Sequence, residues 1–350
     1  MENKKDKIDY YKLNEYLNNY CLAMEKSDFL HNVDYYYDLT SKLFGFLYTK
    51  LPSYGLQPDT KEEKQKHLSI LETLDIVNEY IEKQMPEYKD SFINSMQDGT
   101  INIVADPENE DTSLGDRSGI DEERHRFVNA ILKHNSDDPR TIIHEFVHNL
   151  NLTDQNSLSR KYITEGISIY FEIDMANFML DKGYDPKDVF QDRLYRLTDL
   201  CYATSDMIKI FPILLCYEKL GPITDESFKD MEKLKIKPRP KTEEDFYGRF
   251  INSSEILLKE SSIDPLKEFG YVIGTLLAYY AIDQKDEEFH QKMLNLNKMA
   301  TTDIFPDMLK YLGLDIANGK ELREKLSVPL EHEMQRISQN LNKKSANKKG

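Results

Sequence analysis

The chain has 350 residues, 39% of them hydrophobic and 31% charged, with a formal net charge of −16. That length is enough for one large domain or two ordinary ones, each with a real core. The acidity and the lack of a basic stripe exclude nucleic acid and anionic membrane surfaces as the expected main partners.

The N-terminus, MENKKDKIDYYKLNEYL, carries charges with no apolar run behind them, so no secretory signal is expected. No stretch reads as membrane-spanning, and the longest apolar ones, such as YVIGTLLAYYAI, have the length of buried helices. The expectation is a soluble, cytoplasmic chain with no membrane partner; export by a route without a readable signal stays open. Three cysteines, Cys21, Cys201 and Cys216, form neither a disulfide framework nor a zinc knuckle, so free thiols are expected.

Residues 8–51 place Tyr, Leu and Phe at helical spacing, 53–67 form a polar break, and 68–84 are helical again. GTINIVAD (99–106) is a β-branched strand ended by Asp-Pro, and 107–123 is a polar loop. RHRFVNAIL (124–132) is the second strand, with Phe127, Asn129 and Ile131 alternating against Val128, Ala130 and Leu132. His125 and His134 flank it as surface residues. SDDPRTIIHEFVHNLN (136–151) opens with helix-start chemistry: Asp137 or Asp138 as cap and Pro139 at the first helical position. Residues 157–183 form a long helix from Ser157 to Gly183, and the remainder is helical with breaks at 220–227 and 234–245. The expected organisation is a helical region over 1–95, a core over 96–200, a helical subdomain over 201–335 and a disordered polar tail over 336–350. The fold class is α+β, predominantly helical, with a small mixed sheet.

TIIHEFVHNLN (141–151) holds His144, Glu145 and His148 as H-E-x-x-H. Positions i and i+4 of a helix share one face, so both imidazoles can reach one ion. Glu145 stands about 100° round, able to meet a water activated by that ion without being a ligand. A catalytic zinc needs a third protein ligand. Asp154, six residues after His148, has the spacing of the metzincin pattern, with Asn151 where that pattern turns at glycine. Glu165 is the other candidate, on the next helix.

TEGISIYFE (164–172) is similar to the N-E-G-x-x-x-Y-x-E segment of aminopeptidase-N-like gluzincins, with Thr164 in place of Asn and Gly166, Tyr170 and Glu172 in register. The resemblance implies a zincin-like catalytic core and one Zn²⁺ per chain held by His144, His148 and Glu165. It implies Glu145 as the catalytic carboxylate and a peptide or protein substrate. Glu172, two turns beyond Glu165 on the same face, is then placed to accept a hydrogen bond from a ligand histidine. Tyr170 reads as core. The family's oxyanion donor is the Tyr of Y-x-K-G at a helix start. Tyr271 in YVIG (271–274) is its counterpart, with Ile273 in place of Lys. FVNAIL is similar to the substrate-lining edge strand of thermolysin-like enzymes, which implies that Asn129 binds a peptide adding to the sheet. The amine-reading G-x-M-E-N strand is absent upstream of His144, so the resemblance does not extend to exopeptidase specificity. Two other readings fit the same residues: a non-catalytic zincin-like binding protein, and a protease effector or toxin with a single target.

Overall fold

The computed structural model describes residues 8–25, 33–56, 67–105, 117–120, 125–151, 158–224, 227, 254, 258, 265–284, 287–299, 305–315 and 319–342. The described chain is α+β and predominantly helical. Helices α1 (Tyr10–Glu25), α2 (Val33–Ser53), α3 (Ile70–Gln84) and α4 (Lys89–Gln97) precede strands β1 (Ile101–Val104), β2 (Arg117–Ile120) and β3 (Arg126–Ile131). Then come α5 (Asp138–Asn151), α6 (Leu158–Asp181), α7 (Pro186–Leu220), α8 (Pro265–Gln284), α9 (Glu287–Met299), α10 (Phe305–Tyr311) and α11 (Gly319–Asn342).

The sheet is mixed, in the order β1-β3-β2: β1 runs parallel and β2 antiparallel to β3. β2 falls inside the expected 107–123 loop. RSGI has no apolar alternation, and its pairing with β3 makes it a strand. β3 is therefore central rather than an edge. Asn129 pairs with Asn102 on one side and Arg117 on the other. It is buried, and its Oδ1 accepts a 2.6 Å bond from Asn102 Nδ2. The expectation that a peptide adds to this strand fails, because β1 and β2 occupy both of its sides.

The turn from β3 into α5 is tied down by Asp138. Its carboxylate faces backwards and accepts from the amides of Lys133 (2.8 Å) and Asn135 (3.2 Å). Asp137 stands before the first turn, its carbonyl accepting from Arg140 and Thr141. His134, expected at the surface, is half-buried at a φ of 56°. Its ring nitrogens lie 3.2 Å from the Leu68 carbonyl and 2.8 Å from the Ala105 carbonyl. His125 is exposed, as expected.

One continuous core runs from Ile8 to Ile337. It crosses all the expected divisions. Position 200 lies inside the unbroken α7, and residues 336–342 extend α11 because Ile337 keeps its apolar face in the core. The expected tail beyond 342 and the break at 234–245 lie outside the described residues. α7 is long and apolar enough, by length and composition, to cross a membrane, against the expectation that no run is. Half of its most apolar window is buried inside the protein, and it packs on α2, α8 and α11 as a core helix does.

Candidate metal centre

α5 is amphipathic. Ile142, Ile143, Phe146 and Val147 are completely buried, each contributing about 1.5–3 kcal/mol. That face fixes the helix against β3, α3 and α6. The opposite stripe is then free to carry His144 and His148, one turn apart, with their rings edge to face at 4.7 Å.

α6 packs across α5 and brings Glu165 to the two histidines. The His144 and His148 Nε2 atoms are 3.0 Å apart. Glu165 Oε2 lies 3.4 Å from His148 Nε2 and 3.9 Å from His144 Nε2. These three residues form a group whose ligand atoms all lie within 4.8 Å of one another. Three donors at zinc bonding lengths in a tetrahedral array sit about 3.3–3.5 Å apart, and the observed separations bracket that value. The donor set, two imidazoles and one carboxylate, also suits zinc. Asp154, the competing third ligand, lies outside the described residues.

Glu172 is on the same side of α6 as Glu165, two turns on. Its Oε2 is 3.0 Å from His144 Nδ1. That bond puts the His144 proton on Nδ1 and leaves the Nε2 lone pair facing His148 and Glu165. The other Glu172 oxygen accepts from Arg196 of α7. Burial pushes the Glu172 carboxyl upward, but Arg196, His144 and Arg140 outweigh it and hold the group well below the usual carboxylate range. Glu172 is therefore ionised and fixed. Arg140, one turn before His144 and itself buried, pairs with Asp137 and with Asp192 of α7. Burial opposes a charge on His148, yet Glu165, Glu145 and Glu172 raise its affinity for a proton.

Glu145 is buried, and its charge acts on both His148 and Tyr271. Tyr271 lies in the second turn of α8 rather than at a helix start, because the helix already begins at Pro265, a residue suited to the first helical position. It precedes by one turn Gly274, whose backbone lies against Glu165 and Gly166. Glu165 first, then burial, Glu145 and Glu172 push its hydroxyl well above the ordinary tyrosine range, against the pull of Arg196. Such a phenol keeps its proton throughout the neutral range and so keeps an O–H to donate.

Tyr170 belongs to the other face of α6. Its hydroxyl is 2.9 Å from His290 Nδ1, and His290 Nε2 is 2.8 Å from the Gln84 carbonyl. Both residues line a cavity of about 900 Å³ that also includes Asp174, Asn177 and Arg193 but none of the metal-centre residues. The core reading of Tyr170 agrees with this.

The structure thus brings together His144, Glu145, His148, Glu165, Glu172 and Tyr271, and takes Asn129 into the sheet. Arg196 and Arg140 were not singled out from the sequence. A lone arginine on a long helix gives no spacing signal, and only the packing of α7 on the motif helices reveals them. No protein-family model, curated protein or solved structure matches the chain.

Proposed function

We propose that this protein is a zinc-dependent metallopeptidase of the gluzincin type, with a zincin-like core formed by the sheet, α5 and α6. The observation that carries the reading is the convergence of His144 Nε2, His148 Nε2 and Glu165 Oε2 at 3.0–3.9 Å, with the other His144 nitrogen held by Glu172. His144, His148 and Glu165 would hold one Zn²⁺ per chain, which when bound would supply Lewis acidity for attack on a peptide carbonyl. Glu145 is the general base: it takes a proton from the attacking water and returns it to the leaving amine. Tyr271, kept protonated, donates to the oxyanion. Glu172 and Arg196 hold the His144 ring in one tautomer and orientation. Glu145, next to a ligand histidine, supports catalysis over a purely structural metal, since hydrolysis needs a base and Glu172 is already engaged by His144 and Arg196.

The test has two readouts. Purified protein is analysed for metal, then incubated with a proteome-derived peptide library. Wild type should carry about one zinc per chain and cleave peptides, and His144→Ala should lose both. Glu145→Gln should keep the zinc and lose cleavage by about a hundredfold or more. Full zinc content in His144→Ala refutes the metal centre. Zinc uptake without cleavage of any peptide favours the binding-protein reading.

A further inference from the structure

α8 lies on α6 in the most extensive helix contact of the described residues, and two glycines meet there. Gly166 directly follows Glu165, and Gly274 comes one turn after Tyr271. Both are buried. A Cβ placed on Gly274 would stand 2.7 Å from the Gly166 nitrogen and 2.9 Å from Glu165 Cβ. One placed on Gly166 would stand 3.2 Å from both the Cα and the carbonyl oxygen of Gly274. Ordinary contact begins at 3.4 Å, and the atoms met are backbone and Cβ, which cannot swing aside as the end of a long side chain can. The two backbones therefore touch with no side chain between them. Glycine weakens a helix interior, so a pair at one crossing needs a reason in packing.

We propose that Gly274 is a positioning residue of the metal centre: it lets α8 rest on the backbone of α6 and so fixes Glu165 relative to His144 and His148. The inference rests on the metallopeptidase reading. Its physical basis is that the third ligand comes from a different helix than the first two. The histidines are set relative to each other by one turn of α5, whereas the reach of Glu165 depends on where the α6 backbone lies. Zinc–ligand distances tolerate only about 0.2 Å. A methyl group on Gly274 falls about 0.7 Å short of ordinary contact with the Gly166 nitrogen and about 0.5 Å short with Glu165 Cβ. Relieving that overlap moves α6, α8 or both by more than the metal tolerates. The same contact seats Tyr271 beside Glu165.

The test measures zinc affinity of the full chain by competition with a chromophoric chelator, with circular dichroism as the check on folding. Gly274→Ala should keep its helical signal and bind zinc about 10–100-fold more weakly, the range for residues that orient ligands. Gly166→Ala makes the Gly274 backbone give by a few tenths of an ångström, slightly more than the metal tolerates, and should weaken zinc binding measurably but less than Gly274→Ala does. Leu276→Ala removes a fully buried side chain from α8 and should lower the melting temperature while leaving zinc affinity within about twofold. Gly45→Ala, with open space around its added methyl, should change nothing at the metal. A folded Gly274→Ala with wild-type affinity overturns the proposal, as does a loss in Leu276→Ala equal to that in Gly274→Ala. If Gly274→Ala does not fold, Gly166→Ala decides, and wild-type affinity there overturns it. A wild-type chain that takes up no zinc refutes the metal centre itself, and this positioning role with it.

Discussion

Replacing Glu172 by Gln separates the shape of the candidate metal centre from its charge. The carboxylate spans His144 Nδ1 at 3.0 Å and the Arg196 guanidinium, and only 9% of its side chain is exposed. A glutamine fills the same space, and its carbonyl oxygen can still accept from one of the two. It cannot serve both as an anion. His144 then loses part of what orients it and raises its basicity, an effect usually about 10–100-fold in metal affinity. Arg196 is a quarter exposed, so water compensates part of its lost partner and the fold survives. The loss can be measured by thermal unfolding with and without zinc. With free zinc at about a thousand times the wild-type Kd, binding stabilises the wild-type fold by about 4.1 kcal/mol. At the same zinc concentration the variant should gain only about 1.4–2.7 kcal/mol. Chelator-treated samples isolate the cost to the fold from the cost to the metal. An equal zinc-induced shift in wild type and Glu172→Gln would refute the claim that Glu172 holds His144 for the metal.

Glu333 and Arg193 form a two-pronged buried pair, Nε–Oε1 at 2.5 Å and Nη2–Oε2 at 2.8 Å, joining α11 to α7. Glu333→Ala leaves the guanidinium buried without its anion and should cost about 3–5 kcal/mol in urea unfolding; a cost under about 1 kcal/mol would show that water reaches Arg193. Burial pushes the Cys216 thiol up to about 12, so this residue should stay unmodified by iodoacetamide at pH 8 in the native protein and react after unfolding, as read by peptide mass mapping.

What was legible in the sequence was what one helix can fix alone. His144, Glu145 and His148 need only the pitch of α5, and the apolar residues that bury its other face are interleaved with them. Glu165 and Glu172 share a face of α6 for the same reason, although choosing Glu165 over Asp154 took a resemblance rather than geometry. Asn129 was misread because the place of a strand in a sheet depends on its partners. RSGI has neither length nor alternation to announce itself, and it becomes β2 only by pairing with β3. Arg196 was invisible for a related reason: its carboxylate partner is 24 positions away, and no periodicity links them. The expected boundary at 200 falls inside α7, which runs unbroken from Pro186 to Leu220 with its buried residues in one core on both sides of that position.

The N-terminal helices illustrate the same dependence in the other direction. Residues 1–95 read as an extension because they precede the motif helices and carry no chemistry of their own. Yet Phe92 packs edge to face on Phe146, the residue between Glu145 and Val147, with ring centres 5.1 Å apart. Tyr80 donates to Asp174 at 2.9 Å from behind α6, and both phenylalanines and Tyr80 are almost fully buried. α3 touches α5 and α6 directly. The apolar face that turns His144 and His148 outward is thus covered in part by residues before position 95. The histidine stripe faces Glu165 in part because its opposite side has this partner alongside β3 and α6. On these contacts α3 and Phe92 of α4 form part of the back wall of the candidate metal centre, and the orientation of the two imidazoles is a property of the packed core rather than of the five-residue motif.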